Sequence, residues 1–186
     1  MKKINEADIL DEISELENSK KETKKRINSK QKGNRAERDC AKIFNKRFPD
    51  YTFKRVPQSG AIFGQSNKEN TEKIDEEIKT TLSGDIMCPL NFKFSVEHKA
   101  YEKPDFWDLF NESSDLHNWM KQCQGDADFV HKEPMLIVKY NNKRRLVFTH
   151  FKFNDYIFEH NGWYCYWLDD YFENTDEHFF NKKTPS

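Results

Sequence analysis

Between Phe92 and Lys99 the chain alternates without a break, and this constrains its fold more than any other feature. Successive side chains of a strand point to opposite faces. Phe92, Phe94, Val96 and His98 therefore line one face, and Lys93, Ser95, Glu97 and Lys99 the other. Glu97 and Lys99 stand side by side, two residue rises or roughly 7 Å apart. Asp85-Ile86-Met87-Cys88 reads as a neighbouring strand, joined through Pro89-Leu90-Asn91. A hairpin turning about Asn91 sets Asp85 opposite Glu97, and cross-strand partners project to one face. Two carboxylates and one amine are thus expected on a single patch.

That trio has a chemical use. Close carboxylates repel one another unless a cation lies between them. Magnesium takes one or two carboxylates and keeps several waters. A metal-bound water can act as nucleophile toward a phosphate whose charge the ion neutralises. Lys99 can orient or deprotonate that water and stabilise the transition state. Alone, Glu97-x-Lys99 also fits an exposed strand face with mixed charges, so the reading leans on Asp85 falling in register. The ring of His98 points to the apolar face and reads as a core histidine. His117, His131, His150 and His160 show no metal-ligand spacing.

The flanking pattern is that of an α/β chain. Ile4 to Arg26 reads as a helix with Ile9, Ile13 and Leu16 on one stripe and a basic run, Lys20 to Arg26, at its end. After Gly33 a second helix is expected from about Arg35 to Arg47, with Ala36, Cys40, Ile43 and Phe44 inward. Tyr51 to Val56 alternates as a half-buried strand that Pro57 ends. Gln65 to Ser83 is a polar surface excursion holding one or two helical turns. Phe106 to Gln124 is expected as a helix with Trp107, Phe110, Trp119 and Cys123 on its apolar side. Pro134 to Tyr140 and Arg145 to Thr149 read as strands joined by a tight turn at Asn141-Asn142, and Trp163 to Leu168 as another strand. The organisation expected is an N-terminal helical and basic arm, residues 1–31, then one domain, 32–186, with a polar insertion at about 65–83.

Composition narrows the function classes. Hydrophobic residues are only 35% of the chain, but sixteen Phe, seven Tyr and four Trp can still fill a core. The net charge of -1 hides a basic stretch, Lys20 to Lys46, and acidic ones, Glu69 to Glu77 and Asp169 to Glu177. Four cysteines without a Cys-x-x-Cys pair suggest reduced thiols. With no signal-peptide pattern and no apolar run of bilayer length, a cytoplasmic protein free of membrane is expected.

Five short pieces, in order, resemble the PD-(D/E)xK nuclease superfamily, and within it archaeal-type Holliday junction resolvases and related phage endonucleases. Lys32-Gly33-Asn34-Arg35-Ala36-Glu37-Arg38 is similar to the first-helix motif. Arg55-Val56-Pro57-Gln58-Ser59-Gly60-Ala61 is similar to the loop whose Ser-Gly pair approaches the scissile phosphate. Gly84-Asp85 with Glu97-His98-Lys99 resembles the core signature, with Gly where the motif's name has Pro. Trp119-Met120-Lys121-Gln122 resembles the second-helix element, and Pro134 to Lys139 the strand after it.

The resemblance implies a restriction-endonuclease-like α/β core, a mixed central sheet flanked by helices. It implies Asp85 and Glu97 as ligands of a magnesium ion that manganese could replace, with the His98 backbone carbonyl as a further ligand. Glu37 would assist the metal through water. Lys99 is the implied catalytic amine, and Glu37, Ser59 and Gln122 support it. Arg35, Arg55 and Ser59 are expected DNA contacts; Lys139 and the basic hairpin tip at Lys143 and Arg144 are read as DNA contacts from their own charge, where a solvated edge lysine and a basic tip that binds nothing fit equally well. The expected activity is hydrolysis of DNA phosphodiester bonds, on branched or junction DNA, by a homodimer that makes two symmetric cuts and needs no organic cofactor. A phage endonuclease acting on duplex, flap or replication DNA is the neighbouring expectation. A DNA-binding module that has lost catalysis is a third, disfavoured by the intact Asp85, Glu97 and Lys99.

Overall fold

The computed structural model describes residues 29–57, 76–103 and 105–182. The expected helix Ile4 to Arg26, Ser59 with its Ser-Gly loop, and the first part of the insertion lie outside the described residues. The chain divides between Lys32 and Gly33, inside the first described helix, and both sheets belong to the unit Gly33–Ser186.

Five strands form the main sheet: β3 (Phe94–Tyr101), β4 (Glu133–Tyr140), β5 (Arg145–Thr149), β6 (Phe158–His160) and β7 (Trp163–Trp167). Their spatial order is β3-β4-β5-β7-β6. β3 and β4 are parallel and the remaining pairs antiparallel, so the sheet is mixed. A parallel pair needs a long crossover, and helix Asp115–Phe129 supplies it. A second, two-stranded sheet pairs β1 (Lys54–Arg55) with β2 (Ile86–Met87). Helix α1 (Ser29–Arg47) precedes β1, and the insertion ends in α2 (Glu76–Leu82). The crossover helix is α3, and two short helices, α4 (Leu168–Tyr171) and α5 (Asp176–Phe179), close the chain. This is an α/β restriction-endonuclease-like architecture.

Each face of the sheet packs its own core. Along β4, Met135 and Ile137 join one cluster with Phe94, Val96 and the α1 residues Cys40 and Phe44, while Leu136 and Val138 join another with Leu116, Met120 and Cys123 of α3. The period of two thus sorts one strand between two layers. The α1 side is aromatic: Phe44, Phe48, Phe53, Phe92, Phe172 and Phe179 meet mostly edge to face or tilted. Phe53 is held without a strand ladder, because Asn45 Oδ1 accepts its N–H at 2.8 Å and Asn45 Nδ2 donates to its carbonyl at 2.8 Å. That explains why the expected strand Tyr51 to Val56 shortens to Lys54–Arg55.

Two expectations are corrected. Asp85 and Glu97 do not face each other across a hairpin turning at Asn91. Gly84 bridges Val96 in parallel, and Asp85 N donates to Val96 O at 2.9 Å. The hairpin is pre-empted because Phe92 bridges Phe180 and Lys93 N donates to Phe179 O, so the C-terminal segment occupies that backbone. Nor is Phe106 to Gln124 one helix. A short 3-10 turn, Phe106–Leu109, is followed by α3 from Asp115 to Phe129. Short polar side chains take the intervening N–H groups: Asp105 caps Trp107, Asn111 caps Ser113 and Ser114 caps His117. Trp107 and Phe110 consequently stand 71% and 68% exposed instead of facing the core.

The turn at Asn142 has the expected positive φ of 56°. A second tight hairpin, β6–β7, turns at Asn161 and Gly162 with φ of 50° and 80°. Asn-Gly is a strong hairpin signal, so β6 was legible and missed. No helix among the described residues is long and apolar enough to cross a membrane.

Candidate active site

The edge of β3 away from β4, where Gly84 and Asp85 cross it, carries the candidate site. Phe94 and Val96 enter the aromatic core. Ser95, Glu97 and Lys99 therefore face α3, where Gln122 meets Glu97 and Lys99. Lys99 Nζ donates to Glu97 Oε1 at 2.5 Å and to Gln122 Oε1 at 3.0 Å. Gln122 Nε2 donates to the same Glu97 Oε1 at 2.8 Å. Glu97 is only 2% exposed.

Asp85 reaches the edge by a tight backbone route. Gly84 has φ of 75°, and a Cβ on it would fall 2.4 Å from Val96 O. Only glycine adopts that conformation readily and tolerates that approach. A proline, with φ locked near -65°, does neither. The Gly-Asp variant of the motif therefore follows from how the chain crosses β3. Asp85 is 8% exposed, and its Oδ2 accepts the backbone N–H of His98 at 3.1 Å. In a strand, the N–H and C=O of one residue point to the same edge, so the His98 carbonyl also lines the edge that Asp85 occupies.

The electrostatics follow from this crowding. Burial, then the charge of Asp85, pushes the Glu97 carboxyl up to about 8 against the pull of Lys99. Burial pulls the Lys99 ammonium down, but Glu97, Asp85 and Asp126 outweigh it and hold it raised. His98 is buried on the other face, and desolvation lowers it to about 4, which keeps the ring neutral. Three carboxyl groups thus crowd one ammonium, which leaves Glu97 reluctant to ionise without a further cation.

The other expected residues divide into groups. Glu37 Oε2 accepts from Arg55 Nε at 2.5 Å, and Arg55 Nη2 donates to Asn34 Oδ1 at 2.8 Å. The first two motif pieces therefore hold each other, and the negative charges of Glu37 and Asp85 both act on the buried Cys40. Arg35 is exposed and lies 4.0 Å from Asp39. Lys139 Nζ donates to the carbonyl of Lys143. Arg144 sits over the Trp167 ring at 4.8 Å and pairs with Asp170 at 2.6 Å. Ser59 lies outside the described residues. Among the described residues no three Asp, Glu, His or Cys side chains gather as a metal-ligand set. A cation held by Asp85 and Glu97 would have to complete its shell with backbone and water oxygens, as magnesium commonly does.

Asp126 was not expected here. It lies one turn beyond Gln122 on α3 and feels the charges of Asp85 and Lys99. Burial, then Asp85, raises its carboxyl. Its i, i+4 spacing from Gln122 was the signal that could have revealed it.

A family model described as "Phage putative PDDEXK endonuclease" matches residues 28–162. The chain belongs to this family. The match spans both motif pairs, α1 with β1 and β3 with α3. No curated protein and no solved structure matches this PDDEXK-family chain. The family is one of nucleases, and PD-(D/E)xK nucleases generally use divalent metals.

Proposed function

We propose that this PDDEXK-family chain is a magnesium-dependent endonuclease that hydrolyses DNA phosphodiester bonds at the β3 edge. One observation carries the reading: a buried carboxylate, Glu97, shares its oxygen with the Lys99 ammonium at 2.5 Å while Asp85 is anchored beside it on the His98 N–H. Asp85, Glu97 and the His98 carbonyl would hold the ion, whose chemistry is to lower the pKa of a bound water and neutralise phosphate charge. Three carboxyl groups around one ammonium, with Glu97 held back from ionising, support a divalent partner. Lys99 is the amine that orients the attacking water and stabilises charge developing on the phosphate. Gln122 orients Lys99 and Glu97. Glu37 and Arg55 brace α1 against β1, and Ser59 in its Ser-Gly loop is assigned to the phosphate.

We assign branched or junction DNA as the substrate on the resemblance of the five motif pieces to archaeal-type junction resolvases. Two symmetric cuts require two sites, hence a homodimer. Arg35 and the basic tip at Lys143 and Arg144 are assigned to the DNA backbone.

The test is incubation with a four-way junction and a matched linear duplex, with magnesium and then with chelator. Cleavage that needs magnesium and favours the junction is expected. Equal cleavage of both ends the junction assignment and leaves a phage-type endonuclease acting on duplex or flap DNA. Folded protein that cuts no DNA would favour a binding module.

A further inference from the structure

We infer that Arg145 forms a phosphate-binding site on the α1 side of the sheet, taking a nucleic-acid backbone phosphate other than the one that is cut. The inference rests on the nuclease reading only for the ligand being nucleic acid. The strand register places the residue. Arg145 on β5 pairs with Lys139 on β4, which pairs with Ala100 on β3, the residue after Lys99. Cross-strand partners share a face, and Val147, two residues beyond Arg145, lies in the α1-side core. Lys139 and Arg145 therefore form a basic row at the rim of that core. Two strand spacings, roughly 10 Å, separate Arg145 from the strand that carries Lys99.

The guanidinium has no counter-charge within the described chain. Arg47, Arg55 and Arg144 each donate to a carbonyl or a carboxylate. Arg145 Nε is shielded from solvent and meets no acceptor, and no described carboxylate pairs with the group. Asp39 of α1 feels its charge but is committed to Lys42 at 3.0 Å. A half-buried cation without a counter-charge is destabilising; an anion arriving from outside removes that penalty. The planar fork matches a phosphate through two parallel hydrogen bonds.

The surrounding charge agrees. Helix α1 runs antiparallel to β3: Phe48 meets Phe92, while Glu37 holds Arg55 against the segment that brings Asp85 to His98. Arg35 and Arg38 of α1 therefore lie toward the Arg145 end of the sheet. At the same end the α3 side, where Trp119 meets Tyr101, carries the exposed Asp105, Glu112 and Asp115. A phosphate backbone is repelled there and steered to the α1 side.

The test is DNA binding by the full chain in chelator. Wild type, Arg145→Met and Arg145→Lys are titrated into a labelled four-way junction and a matched linear duplex across a salt series. Arg145→Met should weaken binding about tenfold on both DNAs, because a phosphate contact carries no sequence information. It should also flatten the dependence of log affinity on log salt by about one. Arg145→Lys should keep the slope but recover only part of the affinity, since lysine lacks the fork. Thermal unfolding without DNA separates binding from structure: Arg145→Met should unfold no lower than wild type, because it removes an uncompensated charge. Unchanged affinity and slope in Arg145→Met, a lowered unfolding temperature in that variant, or a wild type that binds no DNA overturns the inference. A wild type that cuts nothing with magnesium, yet binds DNA through Arg145, removes the nuclease reading and leaves the phosphate site standing.

Discussion

The two faces of β3 are built from different materials. On the α1 side Phe94 and Val96 enter a buried core of tilted and edge-on rings. On the α3 side Ser95 meets Ser83, which donates to the Asp126 carbonyl, and Glu97 and Lys99 meet Gln122, all through directional hydrogen bonds. Apolar packing is non-directional and tolerates exchange of similar volumes. A buried polar network is satisfied only in one arrangement. One face therefore supplies stability and the other geometry, and a single strand transmits the first to the second.

The sharpest way to break that division is Lys99→Ala. It should lower cleavage by about a hundredfold or more, as loss of a general acid–base group does, while DNA binding stays nearly intact. A fully active variant would remove the amine from the account. On the opposite face, Phe48→Ala should cost about 3–5 kcal/mol in denaturant unfolding, because the ring packs against Phe92, Phe179 and Phe180. The molecules that remain folded should cut at the wild-type rate. A change in that rate at full folding would show that the faces are not separable.

The backbone at Gly84 joins the two faces, and Gly84→Ala tests the joint. Forcing a side chain at φ of 75° against Val96 O should cost about 1–3 kcal/mol, and it should displace Asp85 enough to slow cutting. Unchanged stability would mean that the crossing is looser than described. The smallest effect is that of pH on the aromatic side. Burial lowers both His98 and His178 to about 4. A depressed histidine contributes stability fully above its unfolded value, near 6.5, and loses it as pH falls toward 4. Unfolding midpoints should decline across that window, and His178→Asn should flatten part of the decline. A His178→Asn variant that keeps the full slope would contradict the assignment for His178.

How much of this was legible in the chain depends on how far apart the partners lie. The alternation at Phe92 to Lys99 exposed the two faces of β3, because a strand's period is local. The tight turn at Asn141-Asn142 was legible for the same reason. The hairpin expected at Asn91 failed because the backbone there is taken by Phe179 and Phe180, contacts that no local pattern reports. Trp107 and Phe110 were misread since apolar spacing outweighed Asp105, Asn111 and Ser114, whose side chains compete with helix for the backbone. In the site, Gln122 was reachable only through motif resemblance. Asp126 became visible once the crossover helix had laid Gln122 against Glu97.

The central claim is that Asp85 and Glu97 converge on a divalent ion. Calorimetric titration of manganese into the wild type and into Asp85→Asn tests it without any DNA. Saturable binding in the wild type that vanishes in Asp85→Asn is the predicted result; equal binding in both, or none in either, would contradict it.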